Sequence, residues 1–290
     1  MSLYLKNFID VTRLNKPIGF LLLFWPCAWG LSLAYYFNRD LPTFAYYLFL
    51  FFCGSVLMRS AGCIVNDIVD EKIDKKVFRT KGRPIASGSL SKNLAWIYVL
   101  ILCLLAFIVL IQFNLLTVYL GMFSMIFAFS YPFMKRFTYW PQLFLGITFN
   151  YGLILGWTAI KGEINFITIL FYLGAIFWTL GYDTIYGYQD IKDDEIIGLK
   201  STSIKFKGKE KKFIILCYTM LLFFLSLGGY FMKLNDFIYF ILLLIPAYHL
   251  FFYQLKIFNP IKPENCLKAF KSNNFFVIII FFNIVIIKLI

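Results

Sequence analysis

Two short acidic segments hold the side chains of this sequence that are best suited to chemistry. Asn66, Asp70 and Asp74 follow one another at intervals of four residues, and Asp190 and Asp194 repeat that interval later in the chain. Residues four apart share one face of a helix, so each segment is expected to present a column of oxygen atoms. Clustered carboxylates repel each other and are costly near a membrane, so these columns need a cationic partner.

Magnesium is the partner that these oxygen atoms indicate. Mg²⁺ takes oxygen ligands, uses only one or two carboxylates per ion and bridges readily to substrate phosphates. Two facing columns predict two Mg²⁺ ions around a diphosphate, with Asn66, Asp70 and Asp74 on one side and Asp190 and Asp194 on the other. The simpler alternative, two solvated loops of mixed charge, does not explain why spacing and position match in both segments.

Basic side chains flank both acidic segments and would donate hydrogen bonds to phosphate oxygens. They are Lys72, Lys75, Arg79, Lys81, Arg83, Lys135, Arg136, Lys200 and Lys205. Any single one of them also fits a role as an orientation signal beside a membrane.

Nine apolar runs must position these residues, and each meets or approaches the ~20 residues that a helix needs to cross a bilayer. The runs cover 17–37, 43–65, 93–112, 115–133, 141–160, 164–188, 213–232, 237–255 and 275–289. Of the 290 residues, 61% are hydrophobic and 15% are charged, whereas soluble domains carry about 25% charged residues. We therefore predict an all-α membrane protein, a bundle of about nine helices forming one domain over residues 1–290.

The placement of the 28 lysines and arginines gives the orientation of the chain and argues against a nucleic-acid partner, despite the net charge of +13. With the N-terminus in the cytoplasm, 23 of them fall on inner segments and 4 on outer segments, while Arg59 alone lies within a span. Membrane proteins keep such an excess of basic residues on the cytoplasmic side. Ten of the 15 acids lie in the two long cytoplasmic loops and the helix ends that lead into them, which orientation alone does not require.

The order of runs and motifs resembles an internal duplication. Four runs precede Trp140 and four follow it, with a ninth at the end, and each half carries its acidic segment after its second run. Asp70 and Asp74 precede Asp190 and Asp194 by the same 120 residues. Because membrane proteins built from repeats often place the functional site where the repeats meet, we predict the site at that interface.

The motifs together resemble the UbiA-type family of membrane prenyltransferases, and within it the branch that acts on 4-hydroxybenzoate for ubiquinone synthesis. The first acidic motif is NDIVDEKID, followed by Arg79 and Arg83-Pro84, and the second is YDTIYGYQDIKDD, followed by Lys200-Ser201-Thr202. Two further stretches agree, namely RLNKPIG with FWPCAW and YPFMKR with WPQ. The resemblance covers about residues 10–210.

The resemblance implies a nine-helix bundle around a central cavity open to lipid, and a magnesium-dependent transfer of a polyprenyl group from its diphosphate to an aromatic ring. By motif position, Asn66, Asp70 and Asp74 would bind the first metal and the diphosphate, and Asp190 and Asp194 the second metal. Asp67 and Asp193 lie beside these ligands and are expected to support them. The basic residues expected to bind the substrates are Arg59, Arg79, Lys135, Arg136 and Lys200.

The carboxylate of a hydroxybenzoate needs a positive partner, and two arginines are candidates. Arg59 lies seven residues before Asn66 on the same helical face, and Arg13 is the other candidate. The alternative for Arg59 is an ion pair with Asp70 or Asp183. Three tyrosines are candidates for stabilising an allylic cation through the negative faces of their rings, although packing alone also explains them: Tyr131, Tyr182 and Tyr186.

The expected partners are a polyprenyl diphosphate, 4-hydroxybenzoate and the lipid bilayer, without nucleic acid. The expected location is a bacterial inner membrane in preference to a mitochondrial one, with the site facing the cytoplasm or matrix. Three alternatives stay open: another acceptor such as a different quinone precursor, haem or a chlorin; a transporter, which would place charges near the bilayer midplane; and a scaffold, which would tolerate Asp70→Asn.

Overall fold

Helices are the only regular secondary structure in the part of the chain that the computed structural model describes, residues 3–37, 40–234 and 236–290. In chain order they are α1 (Leu3–Thr12), α2 (Ile18–Ala34), α3 (Leu41–Val69), α4 (Glu71–Asp74), α5 (Lys92–Leu110), α6 (Leu115–Ser130), α7 (Met134–Phe137), α8 (Pro141–Lys161), α9 (Phe166–Gly187), α10 (Ile191–Ile197), α11 (Thr202–Lys205), α12 (Glu210–Phe231), α13 (Asp236–Tyr248), α14 (Leu255–Ile257), α15 (Pro263–Lys271) and α16 (Asn273–Leu289). A 3₁₀ turn joins α6 to α7, and a π-helical turn joins α13 to α14.

Eight helical segments of the described residues are long and apolar enough to cross a membrane. They are Leu41–Val69, Lys92–Leu110, Leu115–Phe137, Pro141–Lys161, Phe166–Gly187, Glu210–Phe231, Phe237–Ile257 and Pro263–Leu289. The ninth apolar helix, α2, has 17 residues, which at 1.5 Å per residue gives a length of about 26 Å. All nine predicted runs fall on these helices, so the predicted all-α membrane bundle is confirmed, with α2 shorter than the others.

Polar residues at the loops fix several ends of the spans. The side chain of Ser91 accepts a hydrogen bond from a backbone N–H in the first turn of α5, and Asn114 does the same for α6. Gly162 ends α8 in the left-handed conformation with φ 66°, which a residue without Cβ adopts at little cost. Asn114 also donates to the carbonyl oxygen of Thr158 over 2.7 Å, so the α5–α6 turn is fastened to α8.

The helices follow the order that the predicted duplication requires. Helices α2, α3, α5 and α6 precede Trp140, helices α8, α9, α12 and α13 follow it, and α16 is the ninth. The first helices of the two halves, α2 and α8, pack against each other, while α3 packs on α5 and α9 packs on α12. Each acidic segment follows the second long helix of its half, so α3 and α9 deliver the two segments to the same end of the bundle.

The contact between α2 and α8 brings their backbones together through glycines. A Cβ on Gly30 would lie 2.0 Å from the carbonyl oxygen of Leu153, and a Cβ on Gly156 would lie 2.2 Å from that of Cys27. Small residues allow this approach in membranes, where helix association depends on close packing rather than on hydrophobic burial. The α2–α8 contact is therefore the rigid centre on which the two halves are placed.

Gly30→Ala is expected to destabilise the protein by about 3 kcal/mol, because an added methyl group at a backbone contact forces the helices apart. The measurement is thermal unfolding of the purified protein in detergent. Gly82→Ala is the matched control, since nothing lies within 4 Å of a Cβ at Gly82. Equal melting temperatures for the two variants would contradict the close contact.

Candidate active site

Both acidic segments contain a break between their two aspartates. Asp70 ends α3 with φ −93° and ψ 5°, and the short helix α4 then carries Asp74. Asp190 follows α9 with φ −114° and ψ 8°, and α10 then carries Asp194. The prediction of one continuous helical column in each half is therefore wrong, while the matching turn in both halves agrees with the duplication.

A cavity of about 1250 Å³ runs from these segments into the bundle. It is lined by all five predicted metal ligands, by four of the predicted substrate-binding residues and by the three candidate tyrosines: Asn66, Asp70, Asp74, Asp190, Asp194, Arg59, Arg79, Lys135, Lys200, Tyr131, Tyr182 and Tyr186. Arg136 does not line the cavity, but it forms an ion pair with Asp70, which does. The structure thus brings the two halves of the predicted site to one chamber.

The carboxylates of the first segment are held by basic side chains of distant segments. Lys135 donates to Asp70, and Arg136 Nη2 lies 3.4 Å from the same carboxylate. Arg83 Nη1 donates to Asp74 Oδ2 over 2.8 Å. Asp70 and Asp74 therefore belong to separate ion pairs, with Lys135 and Arg136 on the first and Arg83 on the second.

Asp67 is buried like Asp70 but does not line the cavity. Its Oδ1 accepts hydrogen bonds from Arg13 and from Arg83, the latter over 3.0 Å, and the side chain is 1% exposed. Arg83 therefore bridges Asp67 and Asp74, and Arg13 ties the loop after α1 to α3. Asp67 thus lies behind the cavity wall and holds two arginines in place. Because Arg13 already forms an ion pair with Asp67, it is less available than Arg59 to bind the carboxylate of an acceptor.

Arg13→Gln and Asp67→Asn are each expected to lower the free energy of unfolding by about 2 kcal/mol. The first change leaves the buried Asp67 with Arg83 as its remaining ion-pair partner, and the second leaves Arg13 without the carboxylate that it contacts. The double variant is expected to lose less than the sum, with a coupling of about 1–3 kcal/mol. Thermal unfolding of the four proteins in detergent measures the cycle. Strictly additive losses would mean that the two side chains do not stabilise each other.

Among the described residues, one bidentate ion pair connects the second acidic segment to the loop that follows the first. Arg79 donates to both oxygens of Asp190, with Nε 2.7 Å from Oδ1, and its guanidinium lies 5.9 Å from the ring centre of Tyr186. Asp194 has no ion pair among the described residues, and its burial, together with the neighbouring Asp190 carboxylate, raises the pKa of Asp194 to about 6. Asp194 is therefore the acid of the pair that is available to a ligand.

The donor set fits a divalent cation that arrives with a phosphate. Within the described residues, no three acid, histidine or cysteine side chains lie close enough together to hold a metal ion by themselves. Magnesium, however, is typically bound by one or two carboxylates together with water and substrate phosphates. Four carboxylates and one amide around one chamber, each with basic residues nearby, match that requirement.

Arg59 and Asp183 face the cavity further from the loops. Arg59 is the arginine within α3, and no acid lies within 4.0 Å of it among the described residues, so the predicted alternative pairs with Asp70 or Asp183 are not formed. Its guanidinium lies 5.2 Å from the ring centre of Phe149, and its Nε would be 2.9 Å from a Cβ on Gly19. A free guanidinium on the cavity wall is thus available to an anionic ligand.

Sequence reasoning missed several polar residues of the cavity wall. Asp183 is expected from the sequence only as an alternative partner for Arg59, and Lys16, Lys271 and Asn274 are not assigned to the site, yet all four line the cavity. Lys271 and Asn274 belong to α15 and α16, beyond the end of the resemblance at about residue 210. The signal available in the sequence was the short amphipathic stretch Pro263–Lys271 that precedes the last apolar run.

The part of the cavity that lies between the membrane-spanning helices, away from the acidic segments, is apolar. It lies among α2, α3, α5, α6 and α8 and is lined mainly by aliphatic, aromatic and small side chains, including Leu23, Phe51, Gly54, Val109, Phe113 and Leu155. A chamber that is polar at one end and apolar inside the membrane suits an amphiphile with an anionic head and a hydrocarbon tail.

Fold and site together define a polytopic membrane protein whose bilayer-embedded chamber ends in paired acidic segments. The chain belongs to the UbiA prenyltransferase family, because the sequence profile of that family matches residues 23–282. It is 42% identical over 285 residues to a protein of Bos taurus named 4-hydroxybenzoate polyprenyltransferase, mitochondrial, which covers 97% of this chain and 75% of the bovine one. It is 37% identical to the 4-hydroxybenzoate octaprenyltransferase of Coxiella burnetii, with 97% and 96% covered.

The remaining similarities extend the comparison to plants and archaea. An Arabidopsis thaliana 4-hydroxybenzoate polyprenyltransferase is 46% identical over 226 residues, and the match spans about half, 55%, of that relative. A UbiA homolog from Aeropyrum pernix has a TM-score of 0.76 at 23% identity, covering 92% of this chain and 97% of the other. A UbiA homolog from Archaeoglobus fulgidus, solved with GPP and Mg²⁺, has a TM-score of 0.69 at 18% identity, covering 96% and 99%. These structures establish the fold.

Proposed function

We propose that this chain transfers a polyprenyl group from its diphosphate to the ring carbon ortho to the hydroxyl of 4-hydroxybenzoate, releasing diphosphate, in ubiquinone biosynthesis. The observation that carries the proposal is the chamber itself, which joins carboxylates and bases at the loop end to an apolar interior between the helices. The names of the bovine and Coxiella relatives support the choice of acceptor.

The diphosphate would bind at the loop end, where the bases are already collected. Lys135, Arg136 and Arg79 pair with Asp70 and Asp190 in the structure. Phosphate oxygens compete for the same donors because charge-assisted hydrogen bonds to phosphate are strong. Lys200, whose Nζ donates to the carbonyl oxygen of Phe137 over 3.2 Å, lies at the same end and can turn towards the ligand.

Two magnesium ions would be held by the oxygen donors of the two segments, Asn66, Asp70 and Asp74 on one side and Asp190 and Asp194 on the other. Bound there, Mg²⁺ would stabilise the negative charge that builds on the diphosphate as the bond to the allylic carbon breaks. As the bases transfer their hydrogen bonds to the phosphate oxygens, Asp70, Asp74 and Asp190 become free to act as metal ligands.

The acceptor would bind between the diphosphate end and the apolar interior. Arg59 carries the unpaired guanidinium on this part of the wall and would hold the carboxylate of 4-hydroxybenzoate. The rings of Tyr131 and Tyr186, with the carboxylate of Asp183, would surround the electron-poor allylic carbon and stabilise its positive charge. The ring carbon then attacks this carbon, and loss of its proton restores aromaticity without a strong base.

The proposed location is a bacterial inner membrane, with the site facing the cytoplasm. The support is the distribution of charge, because the loops that contain the ion pairs are the Lys- and Arg-rich loops of the chain. In a mitochondrial inner membrane the same side would face the matrix.

The test is product formation in membranes that contain this chain, supplied with 4-hydroxybenzoate, a polyprenyl diphosphate and Mg²⁺. A prenylated hydroxybenzoate is expected, which disappears with EDTA and returns when Mg²⁺ is added in excess. If intact protein gives no product with tails of several lengths, the choice of 4-hydroxybenzoate is wrong and other acceptors must be tried.

A further inference from the structure

Gln142 is a polar residue of the cavity wall to which the proposed function gives no role. It is the second residue of α8 and belongs to the WPQ stretch of the sequence. Its side chain lines the cavity although the residue is only 6% exposed. Burying an amide without hydrogen bonds is costly, so both ends of this amide are expected to have partners.

The protein supplies a partner for only one end of the amide. Oε1 of Gln142 accepts a hydrogen bond from the backbone N–H of Thr202 over 2.9 Å. Nε2 has no hydrogen-bond partner among the described residues, and it is not one of their polar atoms that are sealed off and unpaired. With the carbonyl end fixed, the amide N–H groups are left to a ligand of the cavity.

The orientation of the Gln142 amide is fixed by buried contacts behind it. Thr202 Oγ1 lies 2.6 Å from Thr184 Oγ1, and Ser203 Oγ donates to the carbonyl oxygen of Thr184 over 2.8 Å. These three residues are fully buried and tie α11 to α9. The donor is therefore held in place before a ligand arrives, which is the arrangement that gives a hydrogen bond its largest effect in a site.

The free donor lies at the end of the chamber that contains the acidic segments. A Cβ on Gly187, the last residue of α9, would lie 3.4 Å from Gln142 Nε2. Asp190 follows three residues later, and both Asp190 and Lys200 line the cavity. The Gln142 amide is therefore close to the predicted metal ligands of the second segment.

The proposed acceptor position lies deeper in the chamber than Gln142. The guanidinium of Arg59 is 5.2 Å from the ring centre of Phe149, which follows Gln142 by seven residues of α8, or about 10 Å along the helix axis. Pro141 and Gln142, in the first turn of the 21-residue helix α8, both line the cavity. Because the N-terminal end of a helix favours negative charge, this position suits an anion.

We propose that Gln142 binds the diphosphate of the prenyl substrate, with Nε2 donating a hydrogen bond to a phosphate oxygen beside the second acidic segment. The inference rests on the proposed function, because it takes the anion in the chamber to be a prenyl diphosphate. Lys135 and Arg79 must leave their carboxylates to reach the phosphate. The amide of Gln142 is neutral and unpaired, so it binds the phosphate without giving up another contact.

The experiment measures KM for a polyprenyl diphosphate and for 4-hydroxybenzoate at saturating Mg²⁺. Gln142→Glu keeps an oxygen for Thr202 but replaces the donor by an acceptor. It is expected to raise the KM for the diphosphate about ten- to a hundredfold, because a hydrogen bond to a charged group is lost. Gln142→Met removes the donor without adding charge and should raise the same KM by about five- to tenfold. The KM for 4-hydroxybenzoate should stay within about twofold in both variants.

Gln112→Glu is the matched control, because Gln112 is exposed and does not line the cavity. It is expected to leave both KM values as in the wild type. Melting temperatures in detergent show that the compared proteins are folded. An unchanged KM for the diphosphate in Gln142→Met would overturn the inference. So would an equal rise of both KM values, or a rise for 4-hydroxybenzoate alone, which would place Gln142 at the acceptor.

Failure of the proposed function would show differently, because the wild type would then form no prenylated hydroxybenzoate. The inference is in that case decided by binding of geranyl diphosphate with Mg²⁺ to the purified protein, with geraniol as the ligand that lacks the diphosphate. Gln142→Met should weaken binding of geranyl diphosphate and leave binding of geraniol unchanged. Equal binding of geranyl diphosphate by wild type and variant, or no binding by either, would overturn the inference.

Discussion

Asp70→Asn is expected to lower kcat by about a hundred- to a thousandfold, the size of effect seen when one group that stabilises transition-state charge is removed. Asp70 is 1% exposed, lines the chamber and is held between Lys135 and Arg136. Asparagine keeps the shape of the side chain but removes the negative charge on which a bound Mg²⁺ depends. The measurement is steady-state formation of prenylated hydroxybenzoate at saturating Mg²⁺.

Asp193→Asn is the matched control for Asp70→Asn. Asp193 belongs to the second acidic motif, and the sequence predicts a supporting position for it beside Asp190 and Asp194. In the structure Asp193 does not line the cavity and forms no ion pair among the described residues, so we expect no support from it. Its replacement makes the same chemical change and is expected to leave kcat within about threefold of the wild type. Comparable kcat values for Asp70→Asn and wild type, with both proteins folded, would show that the reaction does not depend on the carboxylate of Asp70.

Arg59→Gln is expected to raise the KM for 4-hydroxybenzoate by about thirty- to a hundredfold, because truncating one partner of an enclosed charge pair typically costs 2 kcal/mol or more. The KM for the prenyl diphosphate should change little. A phenol without a carboxylate serves as the second acceptor, and its slow reaction should be the same in both proteins. Equal KM values for 4-hydroxybenzoate would show that Arg59 does not hold the carboxylate.

Arg13→Gln distinguishes the two arginines that the sequence offers for the carboxylate. Arg13 already donates to the buried Asp67, so its replacement should lower stability and reduce kcat through the disturbed first segment. It should not change the ratio of KM values for the acceptors with and without a carboxylate. If Arg13→Gln raised the KM for 4-hydroxybenzoate but not the KM for the phenol, Arg13 and not Arg59 would bind the carboxylate of the acceptor.

The sequence predicted the parts of this protein that depend on local pattern. Nine apolar runs and the offset of 120 residues between acidic pairs were enough for the bundle and for the meeting of the two segments. The orientation, which follows from the excess of basic residues on one side, stays a prediction. The cavity lining agrees with nine of the ten predicted site residues. These features follow from the composition of the chain and the spacing of its residues, both of which can be read directly from the sequence.

The parts that were missed depend on tertiary contacts. The breaks at Asp70 and Asp190 are not visible in the sequence, because the periodicity of four continues through them, and the ion pairs of these residues with Lys135 and Arg79 are tertiary contacts. Lys271 and Asn274 reach the cavity from helices with no recognisable motif. Arg59 has no acid within 4.0 Å among the described residues. Its distance from Asp183 depends on how α3 and α9 are arranged, which the spacing of residues in the sequence does not give.

The acids and bases of the chamber neutralise one another in ion pairs. Asp70, Asp74 and Asp190 each hold a base of this chain, so no anion from solution is needed to keep the bases in place beside the membrane. Loading of substrate is then an exchange of counter-ions: a phosphate oxygen takes over a base as a cation takes over a carboxylate. In such an exchange neither half proceeds well alone, so the diphosphate and the metal should each bind weakly without the other and cooperatively together.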